Sequence, residues 1–239
     1  MKRMIRLIYS GLLLACFIQP TRVFGVTIGQ TDTFESGTTE NWLINLLGIG
    51  APPAAALPSN VASGGPAGVD DNFMMLTSVG GVGGGSKLTA INISQWTGSY
   101  TDAGITAIAM DLINLSVTDL SIRLYLENPT LGPPTDTAVT GRVPLLAQSG
   151  WTHFEFAIDP LSLTSLTGDV QTLLTGVTAL RIFHSPAATF PGPAVSAQLG
   201  VDNITALGTA AIPEPSTLAL LGLGFAGLLA CKGRKKGRS

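Results

Sequence analysis

The chain has 239 residues and a formal net charge of −2, with only two cysteines, Cys16 and Cys231. Nine of its thirteen basic residues lie at the two ends, so residues 26–212 hold four basic and fourteen acidic side chains, a formal charge of −10. This excludes a nucleic-acid partner, which needs clustered Lys and Arg, and it leaves the central region without a disulfide or a thiolate metal site.

Residues 1–25 read as a signal peptide. Lys2, Arg3 and Arg6 precede an apolar core from Leu7 to Ile18, and Val23-Phe24-Gly25 places cleavage after Gly25. The expected partners are the Sec translocon and signal peptidase. Leu13-Leu14-Ala15-Cys16 loosely fits a lipobox and keeps lipidation open as an alternative.

Residues 26–211 are long enough to bury a core without staples. They show short β-rich runs separated by Gly, Pro, Asn, Asp and Ser clusters, which predicts an all-β, two-sheet sandwich. Strands are expected at Thr31–Glu35, Trp42–Leu46, Phe73–Ser78, Lys87–Asn92, Thr106–Asn114, Leu120–Glu127, Val143–Gln148, Trp151–Ile158, Ala179–His184 and Ala197–Ile204. The clearest alternation is Leu120–Glu127, with Ile122, Leu124 and Leu126 on one face and Arg123 and Tyr125 on the other. Asp169–Leu174 can form one or two helical turns, opening on an acidic residue. Gly48–Gly68, Gly80–Gly85, Asn128–Pro134 and Ser185–Pro193 are expected as loops. No internal repeat is visible, which removes propellers and solenoids.

Chemistry-bearing motifs are few. His153 and His184 each sit in a strand pattern, and His153 projects to the same face as Glu155. There is no nucleophile elbow, zinc-protease motif or phosphate loop; the run from Val79 to Gly85 lacks the required Lys and Ser/Thr. Carboxylate pairs for glycoside hydrolysis can be drawn from Asp111, Glu127, Glu155 and Asp159, but their separation is a tertiary property. The domain is therefore read as non-enzymatic.

Residues 212–239 form a three-part cassette. Pro213-Glu214-Pro215 holds the chain extended, Thr217–Cys231 is uncharged and suited to a single apolar helix, and Lys232, Arg234, Lys235, Lys236 and Arg238 form a basic stop. Fifteen residues at ~1.5 Å rise span about 22 Å, short of a hydrocarbon core of about 30 Å, so a transient membrane stay fits better than a permanent span. Gly222, Gly224 and Gly227 allow another helix to approach closely. This cassette resembles the PEP-CTERM sorting signal of exported bacterial proteins, also known as the ice-binding protein C-terminal domain. The resemblance implies recognition by an exosortase, an inner-membrane intermediate, and delivery to the cell surface or extracellular matrix of a Gram-negative-type bacterium. Whether the cassette is removed or exchanged stays open.

A second resemblance rests on Asp32-Thr33-Phe34-Glu35-Ser36-Gly37, on Gly150 to Phe156, and on Leu199-Gly200-Val201-Asp202-Asn203-Ile204. These segments look like jelly-roll carbohydrate-binding and galactose-binding-like domains, in which the first and last strands lie side by side. That resemblance implies a structural calcium ion at the matching positions, Glu35 and Asp202, with backbone carbonyls completing the site; hard oxygen ligands suit Ca²⁺. A sugar platform is drawn from Trp96, Tyr100 or Tyr125, near Asn92, Asp102 and Arg123, with Tyr125 and Arg123 the best placed. The competing reading packs Trp42, Trp96 and Trp151 into the core and buries Tyr125 on the second sheet face. Three functional classes follow: a surface or matrix sandwich contacting extracellular polysaccharide or mediating adhesion, a secreted polysaccharide hydrolase, and an ice-binding protein.

Overall fold

The computed structural model describes residues 25–44, 56–81 and 86–209. The signal segment, the Pro-Glu-Pro cassette with its apolar run and basic residues, and parts of the Gly48–Gly68 and Gly80–Gly85 loops lie outside the described residues. Among the described residues no helix is long and apolar enough to cross a membrane.

In chain order the elements are β1 (Thr31–Asp32), β2 (Ser59–Val61), β3 (Phe73–Val79), β4 (Thr89–Asn92), α1 (Tyr100–Ala103), β5 (Ile105–Asn114) and β6 (Leu120–Asn128). There follow β7 (Asp136–Val139), β8 (Val143–Leu145), β9 (Thr152–Ala157), β10 (Thr164–Thr167), α2 (Val170–Leu174), β11 (Ala179–His184) and β12 (Ser196–Gly208). They make two antiparallel sheets. Sheet A runs β2-β3-β12-β5-β9, with β1 also on β12; sheet B runs β10-β7-β6-β11-β4, with β8 also on β6. The all-β two-sheet sandwich is therefore borne out, and its first and last strands pair directly, Asp32 opposite Ile204.

Period-two alternation builds the core. Ile122, Leu124 and Leu126 of β6 join Ile108, Met110 and Leu112 of β5 and Leu199 and Val201 of β12 in one buried cluster. Full burial of each such side chain contributes about 1.5–3 kcal/mol. A polar clamp ties β1 to this core. The buried Asp32 carboxylate accepts from the Trp96 indole at 2.7 Å, the Trp42 indole at 2.8 Å and the Gln95 amide at 3.0 Å. Burial pushes its pKa up, and the three donors oppose that shift by stabilising the ionised form.

Several expected boundaries shift for local reasons. β1 stops at Asp32 because Phe34 takes φ of 60°, which leaves the extended region. Of the strand expected over Trp42–Leu46, residues 45 and 46 lie outside the described residues; left-handed Glu40 and Asn41 turn the chain just before it, and Leu43 makes an isolated bridge to Ile91. β8 ends at Leu145, with Gln148 at φ 52° beyond it. β12 runs on to Gly208 through an irregularity at Asn203, φ 51°. The expected helix is present as α2, capped by Asp169, whose carboxylate accepts from Thr172 N at 2.8 Å. β2 lies inside the stretch expected as loop. β2, β7, β10 and α1 are short, and none carries a clear apolar alternation.

Candidate functional site

The outer face of sheet B has an unusual composition for a strand surface. β6 presents Arg123, Tyr125 and Glu127 there, opposite its core residues, and all three are buried. The register sets them in rows. Phe183 stands beside Arg123 and Thr89; Tyr125 lies between Arg181 and Val139; Glu127 lies between Ala179 and Thr137. The strap between β11 and β12 folds back over these rows and contributes Phe190, whose ring stacks on Tyr125 at 4.1 Å and 16°. Phe183 meets both rings edge-on, at 6.4 Å to Tyr125 and 5.4 Å to Phe190. Each pair has the offset or T-shaped geometry that ring quadrupoles favour.

Beside this aromatic cluster lies an open groove of about 490 Å³ lined by Tyr125, Thr137, Leu166, Thr167 and Phe190, with Thr189 and Pro134 at its margin. The Thr137 and Thr167 hydroxyls are bonded to each other at 2.8 Å. Glu127 and Arg181 form an ion pair at 2.9 Å behind the groove, and the Arg181 guanidinium lies 5.3 Å from the centre of the Phe190 ring. Arg181 Nε is buried without a partner, as is the Thr89 hydroxyl. The Tyr125 phenol is pushed up to about 12, mainly by burial and then by the neighbouring Glu127 charge, so it stays a neutral hydroxyl.

Tyr125 does not stand as an open platform. It is 4 % exposed, and the Phe190 ring lies over it. Arg123 turns inward: Nε donates to Ser185 O at 3.0 Å, Nη1 to Thr140 O at 2.6 Å and Nη2 to Pro186 O at 3.4 Å. Trp96 and Tyr100 are fully buried and cannot serve as platforms, the Tyr100 hydroxyl donating to Trp96 O at 3.0 Å. Trp42 and Trp96 pack the core as the competing reading has it, whereas Trp151 sits half-buried on the outer face of sheet A, edge-on to Phe73 at 5.3 Å. Gly200 makes that arrangement feasible, since a Cβ there would meet Ile113 at 2.5 Å and Trp151 at 3.0 Å. Phe190, Phe183 and Arg181 were not among the expected site residues. Phe190 is a single aromatic in a Pro- and Ala-rich connection, and nothing local announces its partner 65 positions earlier.

The outer face of sheet A has the opposite character. Asp202, Asp111 and His153 stand directly opposite one another on β12, β5 and β9. His153 Nδ1 lies 2.9 Å from Asp111 Oδ1, so its carboxylate neighbour is Asp111 rather than Glu155. The Asn203 amide donates to Asp111 Oδ2 at 2.8 Å. Asp202 is buried, its Oδ1 accepts from Asn203 N at 2.7 Å, and its Oδ2 has no partner. Its pKa is pushed up to about 7, first by burial and then by the negative charges of Asp71, Asp111 and Glu35. The fold thus brings Glu35 and Asp202 into electrostatic contact. Glu35 is held by Asn72 N at 2.9 Å. Among the described residues no three His, Cys, Asp or Glu side chains converge tightly enough to hold an ion by themselves, so a cation here would need backbone carbonyls beside the carboxylates. The orphaned Asp202 oxygen, with like charges around it, fits that role.

The other titratable candidates are structural. His184 accepts from Ser121 N at 3.0 Å, and burial lowers its pKa. Asp159 closes a turn, accepting from Leu161 N and Ser162 N. Glu127 and Asp111 face away from each other on different sheets.

β12, the central strand of sheet A, ends at Gly208. Three positions later a sorting signal begins. Residues 211–235 match the PEP-CTERM protein-sorting motif. This motif is one that an exosortase recognises, and it implies export and sorting toward the cell surface. Among solved structures the sandwich is similar to a family 11 carbohydrate-binding module from Clostridium thermocellum in complex with a β-1,3-1,4-mixed-linked tetrasaccharide (16% identity, TM-score 0.49, covering 77% of this chain and 98% of that one). It is also similar to an exo-β-agarase (10% identity, TM-score 0.51, 79% of this chain and 26% of that one). A family 11 module of a cellulosomal cellulase from Clostridium thermocellum matches at 12% identity and a TM-score of 0.48, covering 79% and 99%. At such identities the likeness is one of fold. No curated protein matches the chain.

Proposed function

We propose that this chain delivers a non-enzymatic β-sandwich to the cell surface or extracellular matrix, where the groove on the outer face of sheet B contacts polysaccharide. The observation that carries the reading is the pairing of the Tyr125–Phe190 stack with the Thr137 and Thr167 hydroxyls in one open groove. Pyranose rings offer apolar C–H faces to aromatic rings and hydroxyls to polar side chains, and the groove supplies both, at a volume usual for small-ligand sites. The PEP-CTERM motif supports export and sorting toward the cell surface. Between Gly208 and Thr217 lie eight residues, which reach at most about 29 Å when extended, so the folded sandwich stays beside the membrane until an exosortase acts.

The test is affinity electrophoresis of the mature domain against a polysaccharide panel, with turnover measured on the same polymers. Binding without turnover is expected. Phe190→Ala should weaken binding by about tenfold, the loss of one stacking ring and the groove wall it forms. No retention of folded wild type by any polymer would remove this reading, and turnover abolished by a single carboxylate change would replace it with a hydrolase.

A second reading concerns sheet A. Asp202 and Glu35, with backbone carbonyls, form a structural calcium site joining β12 to the turn after β1; it is supported by the unpartnered, buried Asp202 Oδ2. A calcium-dependent rise in melting temperature, absent in Asp202→Asn, is the expected outcome, and identical midpoints in calcium and chelator would count against it.

A further inference from the structure

The chain leaves the sandwich at one end, and a second groove opens there. Gly208, the last residue of β12, stands opposite Ile105 of β5, and a Cβ on it would meet Ile28 Cδ1 at 3.1 Å. Backbone bonds link this exit to the matching end of sheet B. Gly29 N donates to Ala206 O at 2.9 Å, Val26 N to Thr97 O at 2.8 Å and Gly98 N to Val177 O at 2.7 Å. There Ile93 after β4, Pro129, Thr130 and Leu131 after β6, and Thr178 before β11 line a groove of about 320 Å³.

This groove differs in kind from the one beside Tyr125. Of its lining residues only Thr130 and Thr178 carry polar side-chain atoms, and these are spent: the two hydroxyls are bonded to each other at 2.7 Å, and Thr178 donates to Glu127 O at 2.9 Å. A sugar would lose its own hydrogen bonds to water here without replacement, whereas hydrocarbon loses none. Leu131 is 77 % and Ile93 41 % exposed. The turn after β9 lies at this end too, since Ile158 N donates to Thr106 O at 2.8 Å, and it holds the exposed Leu161.

The opposite end also exposes apolar side chains, Val117 among them, so exposure alone does not choose between the ends. Chain length does. The eight residues between Gly208 and Thr217 reach at most about 29 Å, and β12 from Ser196 to Gly208 is itself about 40 Å long, so a sandwich tethered by the cassette cannot turn its far end onto the membrane. We infer that the exit end, through the Ile93–Leu131 groove, docks on the lipid surface of the membrane that holds the sorting segment. This rests on the membrane-tethered stage proposed above and adds the surface that meets the lipid. Asp102, Asp136 and Asp169 lie toward this end, while Lys87 before β4 and Arg142 after β7 lie toward the other, so the contact is apolar and gains nothing from anionic lipid. The tether supplies a high effective concentration, which lets a small apolar contact suffice.

The test uses the full chain with Cys16→Ser and Cys231→Ser, reconstituted in phosphatidylcholine vesicles that carry nitroxide-labelled acyl chains. An environment-sensitive fluorophore is placed by Leu131→Cys or, at the far end, by Val117→Cys. The Leu131→Cys label should be quenched by the lipids and the Val117→Cys label should not. Adding Ile93→Asp to Leu131→Cys should lower the docked fraction about tenfold, and the milder Ile93→Ser should lower it less, with fold checked by thermal melting. Phosphatidylglycerol in place of phosphatidylcholine should weaken the contact. Equal quenching at the two ends, or quenching unchanged in both Ile93 variants, would overturn the docking, and stronger contact on phosphatidylglycerol would overturn its apolar character. A Leu131→Cys label shielded from water but unquenched by lipid would assign the groove to a second copy of the chain instead. A chain that floats with the vesicles without quenching refutes the docking alone, and one that does not float refutes the tethered stage as well.

Discussion

The two outer faces of the sandwich are built by the same alternation and end in opposite chemistry. On sheet A the outward row Asp202–Asp111–His153 concentrates negative charge and leaves one carboxylate oxygen buried and unsatisfied. On sheet B the outward rows hold aromatic rings, a carboxylate paired with Arg181, and Arg123. Strand periodicity decides which residues point outward, and the loops that return over each face decide whether they meet water. The turn after β1 and the segment before β3 hold Asp202 among acids; the strap after β11 lays Phe190 on Tyr125. A like-charge cluster around one buried carboxylate is suited to a cation, and an aromatic, hydroxyl-lined groove is suited to a sugar.

The largest effect that sharpens this contrast should come from Asp202. Its pKa near 7 exceeds the unfolded value, so between about pH 4 and 7 the native domain keeps a proton that the unfolded chain has released. Stability in chelator should therefore be fully present below about pH 4 and fall as pH rises to about 7, by at most roughly 3–4 kcal/mol. Calcium should flatten that fall and Asp202→Asn should remove it, both read from urea midpoints across the pH range; a flat chelator curve for wild type would break the picture of sheet A. Next in size is the buried ion pair on sheet B. Glu127→Gln leaves Arg181 uncompensated beneath Phe190 and should cost about 3 kcal/mol by chemical denaturation. The smallest effect belongs to the exposed pair on sheet A. His153, whose side chain is 58 % exposed, should lose less than about 1 kcal/mol on change to Ala, and a cost near that of Glu127→Gln would erase the distinction between the faces.

Much of this architecture is legible in local pattern. Leu120–Glu127 and Ala179–His184 alternate cleanly and became β6 and β11 with boundaries within one residue. Asp169 announced the cap of α2. β10 was not legible, because Thr164–Thr167 is almost entirely exposed and offers no apolar period; it is a strand only because β7 pairs with it. The ends of β1 and β8 were missed where Phe34 and Gln148 adopt positive φ, which non-glycine residues rarely signal in advance. For the candidate sites, Tyr125 and Asp202 were visible as residue types in strands, but Phe190 and Arg181 were not, since their meaning lies in contacts spanning 54 to 65 positions.

By itself the sequence determined the destination and the class of fold. The PEP-CTERM motif is read as a linear string, the strands follow from period-two alternation, and the segregation of charge between termini and domain follows from counting. Tertiary structure alone decided what each outward residue does. A side chain at an outer position has no fixed environment until a distant segment covers it, and only the folded strap turned Tyr125 from an expected open platform into one wall of a groove. The same physics gathered Glu35, Asp71 and Asp111 from separate stretches of chain around Asp202 on sheet A and set Arg181 against Glu127 on sheet B.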